Sequence, residues 1–307
     1  MVIETYTPEF VLRMQAQGSG CACQHCQTEA ALTELRWQNH IRHSAQLACD
    51  SVARAMLFTP EAFILHRTDS PVSSAGEALC EQQQVMNQCC INLLIAPQLR
   101  VTEKLYACGV FLSKAQKMIA AGADDAALID SCQQLLEMAV QGSLQPQFAS
   151  LPPIEKYKLA QLRQLSERPL DAALDPLTGM ALVLKLNELK ILSDDYLAET
   201  LQQIDGDEEA TAFLEQHPSV WLNYFLYRCY HDVFPGSDSA AYATVFLSWC
   251  EDYFSLKALC SLLCQSYCEL DEETLAAVFA AWQRARTGQV STVSEVDRLL
   301  IGLSLLS

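Results

Sequence analysis

WLNYFLYRCYHDVFP, Trp221 to Pro235, carries apolar or aromatic side chains nearly all the way round a helical wheel. A helix of that kind belongs at the centre of a core. Its polar exceptions are Asn223, Arg228, His231 and Asp232. A buried guanidinium has to be paired, and Asp232, four residues after Arg228, is its local partner. Two readings follow: an ion pair that staples two helices, or an acid that receives a substrate.

The pattern continues outward on both sides. Helices are predicted near 154–166, 178–203, 207–216, 219–232, 239–268, 271–286 and 291–305, with Ser193-Asp194-Asp195 a possible break in the second. His217-Pro218 ends the third, and FPGSDS, Phe234 to Ser239, turns the chain before the longest. Upstream, SAQLACDSVARAMLF predicts a helix from Ser44 that Thr59-Pro60 restarts, and others cover 78–95, 102–120 and 125–140. Gly142, Pro146, Pro152 and Pro153 mark the strongest internal boundary. The expected division is therefore a cysteine-rich segment 1–43, a helical region 44–150 and a C-terminal helical domain 151–307. No fixed repeat period runs through the chain.

Composition agrees. The 307 residues are 50% hydrophobic, with only 11 glycines and 11 prolines, which favours long helices over turn-rich sheets. The predicted fold is all-α, a multi-helical bundle or irregular helical array with a short cysteine-rich N-terminal segment. A net charge of −17 argues against nucleic acid as a partner, because contact with a phosphate backbone needs clustered Lys and Arg. The opening MVIETYTPEF has no basic region leading into an apolar stretch, so a cytoplasmic location is expected. The longest apolar region, Ala240 to Cys268, is interrupted by Glu251, Asp252 and Lys257, which argues against membrane insertion.

Fourteen cysteines remain to be placed. Cys108, Cys132, Cys229, Cys250, Cys260, Cys264 and Cys268 lie in helical patterns where a thiol serves as a small hydrophobe, and Cys89-Cys90 in VMNQCCINLLIAP reads the same way. GSGCACQHCQ, Gly18 to Gln27, is different: Cys21, Cys23, His25 and Cys26 stand behind two glycines that allow a tight turn around a metal or cluster. A zinc knuckle repeats the Cys-x2-Cys spacing, whereas Cys23-x2-Cys26 stands alone, so a thiol-rich loop without a ligand is the other reading. The next candidate ligands are Cys49, His40 and His43, the two histidines three apart on an expected helix. Glycine-rich phosphate loops, GxGxxG and GxSxG do not occur, which disfavours Rossmann-type enzymes and α/β-hydrolases.

Three blocks, taken in order, resemble the flagellin lysine-N-methylases. TPEFVLRMQAQGSGCACQHC is similar to the family's opening, with Pro8, Phe10, Gly18, Cys21 and Cys26 matching; Ala16 and His25 stand where that family has cysteines. HSAQLACDSVARAMLFTPEAFIL matches at Cys49, Val52, Arg54 and Leu57, with Asp50-Ser51 in place of Pro-Glu. The third block, FLEQHPSVWLNYFLYRCYHDVFP followed by YFSLKALCSL and LDEETLAAVFAAWQRAR, matches at Asn223, Tyr224, Leu226, Tyr227, Arg228 and Tyr230. The resemblance implies S-adenosylmethionine as methyl donor, flagellin or a related secretion substrate as partner, and an iron–sulfur cluster whose candidate ligands are Cys21, Cys23, His25, Cys26 and Cys49. Methyl transfer to lysine needs a neutral amine, hence an acid or aromatic wall to handle the proton and the sulfonium charge. Tyr224, Tyr227, Arg228 and Asp232 are the catalytic candidates, with Tyr230 beside them. The alternative is a non-catalytic helical binding protein of the flagellar system that keeps the C-terminal platform without the cluster.

Overall fold

The computed structural model describes residues 2–16, 32–71, 78–266, 268–286 and 295–307. Its N-terminal part holds a sheet that local periodicity did not reveal. Strand β1 (Val2–Pro8) runs straight into helix α1 (Glu9–Ala16); β2 (Leu32–Arg36), β3 (His40–Ala45) and, beyond helix α2 (Asp50–Leu57), β4 (Leu65–Pro71) complete four strands in the order β2-β3-β1-β4. β1 lies parallel to β3, through Glu4↔His40 and Tyr6↔Arg42, and antiparallel to β4. Two expectations are corrected here. His40 and His43 stand on a strand, where residues three apart face opposite sides of the sheet. The helix expected from Ser44 begins at Asp50, because Ser44 and Ala45 pair with Thr33 and Leu32 of β2.

From residue 81 onward the structure is the helical array that the sequence predicts. It comprises α3 (Glu81–Leu94), α4 (Val101–Ala120), α5 (Asp125–Val140), α6 (Leu144–Ala149), α7 (Glu155–Glu167), α8 (Pro176–Ile191), α9 (Asp194–Asp205), α10 (Glu208–Gln216), α11 (Ser219–Tyr230), α12 (Tyr242–Cys264), α13 (Glu272–Ala285) and α14 (Glu295–Leu306). Four of these start behind an aspartate whose carboxylate accepts from the first-turn N–H groups: Asp124, Asp175, Asp207 and Asp271. The break expected at Ser193 is real: Leu192 turns extended, and Arg163 ties its carbonyl (2.6 Å) to Asp194 (2.9 Å). No helix among the described residues is long and apolar enough to cross a membrane.

One hydrophobic cluster runs from Phe10 to Leu306 and draws on all three expected segments. At its centre lies α11, in which every residue from Val220 to Tyr230 except Leu222 is buried, as its all-round apolar pattern requires. It packs on α2 and α3, while α12 packs on α4, α13 and α14. Asn223 donates to the carbonyls of Met56 (2.8 Å) and Thr59 (2.8 Å), so the buried amide closes the C-terminal end of α2.

The ring of Phe246 on α12 is gripped between Gly109 of α4 and Gly302 of α14. A Cβ added at Gly109 would lie 2.5 Å from Phe246 Cζ, and one at Gly302 would lie 3.0 Å from Cε1, so the ring is met closely from both helices. Gly109→Ala gains about 1 kcal/mol of helix propensity but forces an overlap with the Phe246 ring that costs about 1–3 kcal/mol or more. A net loss of stability and a lower melting temperature are expected; an unchanged or raised melting temperature would show that the ring has room to move.

Candidate functional site

Tyr224 and Arg228 sit one turn apart on α11, Asp252 is in the middle of α12, and Trp282 and Arg286 are one turn apart at the end of α13. Packing of these three helices aims all four donors at the Asp252 carboxylate. Its Oδ2 accepts from the Tyr224 hydroxyl (2.9 Å) and from Arg228 Nη1; its Oδ1 accepts from Trp282 Nε1 (2.8 Å), with Arg286 Nε at 3.4 Å. Arg228 turns its Nε to Asp232 Oδ2 (2.5 Å), which also lies 3.5 Å from Arg286 Nη1. Two guanidiniums thus face two carboxylates. The pairing inferred from the i, i+4 spacing of Arg228 and Asp232 is present, and a second, deeper acid shares it.

The cluster is graded from dry to wet. Tyr224 is fully buried and the Asp252 side chain is 3% exposed, whereas Asp232 is 28% exposed and forms the solvent end. Burial works against the charge on Arg228, but Asp252, Tyr224 and Asp232 outweigh it and hold the guanidinium above its ordinary range. Burial and the Asp252 charge push the Tyr224 phenol up. Charge-assisted bonds of this kind are strong where water is excluded.

Glu251 precedes Asp252 in the chain and is partly buried. Burial and the Asp252 charge raise it to about 7, against the pull of Arg168 and Arg286. Below pH 4.5 folded and unfolded chains both hold the proton; between 4.5 and about 7 only the folded chain does, so stability falls as pH rises through this window. Above it, Glu251→Gln is expected to stabilise the protein by on the order of 2 kcal/mol, with no gain at pH 4. Urea midpoints of the two proteins at pH 4 and pH 8 check this, and equal midpoints at pH 8 would contradict it.

Of the other residues singled out from the sequence, Tyr227 is also fully buried but points elsewhere: its hydroxyl accepts from the Leu47 N–H (3.0 Å), and its ring stacks on His231, which bonds Ser44 Oγ (2.8 Å). Tyr230 donates to the carbonyl of Tyr6 (2.9 Å). The three tyrosines of α11 therefore radiate toward α12, the segment before α2, and the sheet. The structure brings Tyr224, Arg228 and Asp232 together and holds Tyr227 apart.

Cys49 is buried at the N-cap of α2, where its carbonyl accepts from the Ala53 N–H (2.9 Å). Cys21, Cys23, His25 and Cys26 lie outside the described residues. Of the suspected cluster ligands, Cys49 alone falls within them. Among the described residues no group of three or more His, Cys, Asp or Glu side chains is placed to hold a metal ion.

Sequence reasoning missed Asp252, Trp282 and Arg286 as members of the site. The signal was available for Asp252, one of three charges in an otherwise apolar stretch; a buried carboxylate requires converging donors. Which donors converge is a matter of tertiary packing.

These features define a helical protein built around a buried, four-charge cluster at the junction of three helices. The family model of the FliB lysine N-methylase C-terminal domain matches residues 87–300, a span that includes every member of the cluster. The chain belongs to that family. No curated protein and no solved structure gives a match.

Proposed function

We propose that the protein acts on the lysines of flagellin, or of a related secretion substrate, in the cytoplasm as a lysine N-methylase. The observation that carries this reading is the family match over residues 87–300 with the Asp252 cluster inside it. S-adenosylmethionine would supply an electrophilic methyl group on a sulfonium centre. The part of this chain's residues is to receive and deprotonate the lysine. A net charge of −17 draws a cationic side chain toward the surface, and Asp232 is the exposed carboxylate of the cluster. Glu251, adjacent to Asp252 on α12 and raised to about 7 by burial and the Asp252 charge, is the group we propose to take the proton.

A second reading, a binding protein of the flagellar system without chemistry, is favoured by one observation. The Tyr224 hydroxyl and the Arg228 guanidinium are both already engaged by Asp252 in a closed interior.

The two readings separate in one experiment. Purified protein, prepared anaerobically, is incubated with flagellin and S-adenosylmethionine; lysine methylation is read by peptide mass spectrometry and association by calorimetry. Methylated lysines support the first reading, tight association without methylation supports the second, and neither signal overturns both. Iron and acid-labile sulfide are measured on the same preparation and on a Cys21→Ala, Cys26→Ala variant, and iron that disappears in the variant would assign the cluster to the N-terminal stretch.

A further inference from the structure

Next to the Asp252 cluster, along the same face of α11, lies a cavity of about 480 Å³, within the size range of small-ligand sites. Its floor is aromatic. Trp221 and Phe225 of α11 contribute, and Tyr253 of α12 meets Trp221 with ring centroids 4.7 Å apart. Its rim is cationic: Arg100, Lys104 and Lys257 line it against a single carboxylate, Glu215. Such a bias is unexpected in a chain with 37 acids and 20 Lys and Arg residues.

Two of the three cations have obvious structural work. Arg100 is paired with Glu103 (2.6 Å), and Lys257 shares Asp205 with Lys158 at 3.4 and 3.2 Å, so two ammonium groups there divide one carboxylate. Lys104 has no carboxylate partner among the described residues, yet it is half-buried, and burial lowers its pKa from the usual lysine value. A desolvated cation without a counter-charge costs stability unless something else neutralises it.

We propose that this cavity binds a small anionic aromatic molecule of the nucleotide type. Its flat ring would lie against Trp221 and Tyr253, and its phosphate would be held by Lys104 and Lys257. Ring stacking on aromatic side chains tolerates many ring chemistries and the ammonium groups select the anion, so both halves contribute to affinity. The site adjoins the cluster described above: the Phe279 ring touches Trp221 (5.6 Å) on one side and Tyr224 (5.3 Å) on the other. The proposal holds whether or not the protein transfers methyl groups.

The test is a tryptophan-fluorescence titration of the full chain with adenosine 5′-monophosphate, and separately with its two halves, adenosine and inorganic phosphate. Saturable binding of the monophosphate is expected, with each half weaker, and higher salt should weaken the monophosphate further. Lys104→Met removes the charge while keeping an unbranched apolar stem, and is expected to weaken monophosphate binding about tenfold; Lys104→Arg should restore most of it. No saturable binding of the monophosphate overturns the proposal. So does a Lys104→Met protein that binds like the wild type, or either half binding as tightly as the whole. Circular dichroism of both variants shows that the fold is retained.

Discussion

Asp252→Asn is expected to cost the protein about 3–5 kcal/mol of folding stability, the range for removing one partner of a buried ion pair. The shape of the side chain is nearly unchanged, so packing is not the reason. Asp252 is the acceptor for Tyr224, Arg228 and Trp282, and it stands 3.4 Å from Arg286. An amide can accept at one end only, and its own NH2 would face a donor at the other. Arg228, whose side chain is 6% exposed, would be left with Asp232 as its only counter-ion, at the wet edge of the site. Urea denaturation measures the loss. Arg228→Met in the same background should cost much less than it does in the wild type, because the charge it removes has already lost its buried partner Asp252. Additive losses, or a cost for Asp252→Asn below about 1 kcal/mol, would mean that solvent reaches the cluster and screens it.

Asn87→Leu is expected to cost about 3 kcal/mol and to loosen the sheet from the helices. Asn87 on α3 is fully buried, and its amide donates to the carbonyls of Cys229 and Phe234, each at 2.7 Å. Its oxygen accepts from Arg42 Nη1 of β3 at 2.9 Å. Arg42 lies over the rings of Trp37 (4.7 Å) and Tyr230 (5.1 Å), and its Nε donates to His40 Nε2 (3.2 Å). That last bond needs a neutral imidazole. Burial and the Arg42 charge supply it, lowering His40 to about 4. Leucine at position 87 keeps the branched skeleton but is bulkier, and it strands two carbonyls and one arm of a buried guanidinium. Hydrogen exchange followed by mass spectrometry should show faster exchange in peptides covering residues 2–8 and 40–45, with the α11 to α13 region less affected. Uniform loss of protection would mean that sheet and helices unfold as one unit.

How much of this was legible depends on the range of the interactions. The all-round apolar character of Trp221 to Tyr230 placed α11 correctly, since burial on every side leaves a local mark. Arg228 and Asp232 were legible as a pair because they are four residues apart on one surface. The helix starts expected near 207 and 271 coincide with the capping residues Asp207 and Asp271, whereas the helix expected from 178 begins at Pro176 behind Asp175. Asp252 and Trp282, in contrast, lie 24 and more residues from Arg228, and no pattern within a helix reports which helix will pack on it. The sheet was hidden for the same reason: β1 and β3 pair in parallel across more than thirty intervening positions, as in Thr5↔Ile41. The rival pattern of helical spacing around Ser44 to Leu57 then absorbed residues that belong to β3.

Gly109, Phe246 and Gly302 come from three helices and share one small volume. A lineage that enlarges either glycine can keep these helices at the same separation only by trimming the ring, and one that trims the ring opens a hole that a larger residue at 109 or 302 would fill. Among relatives with this arrangement of helices, the three positions are therefore expected to change together, with their summed volume varying far less than the size of any one of them.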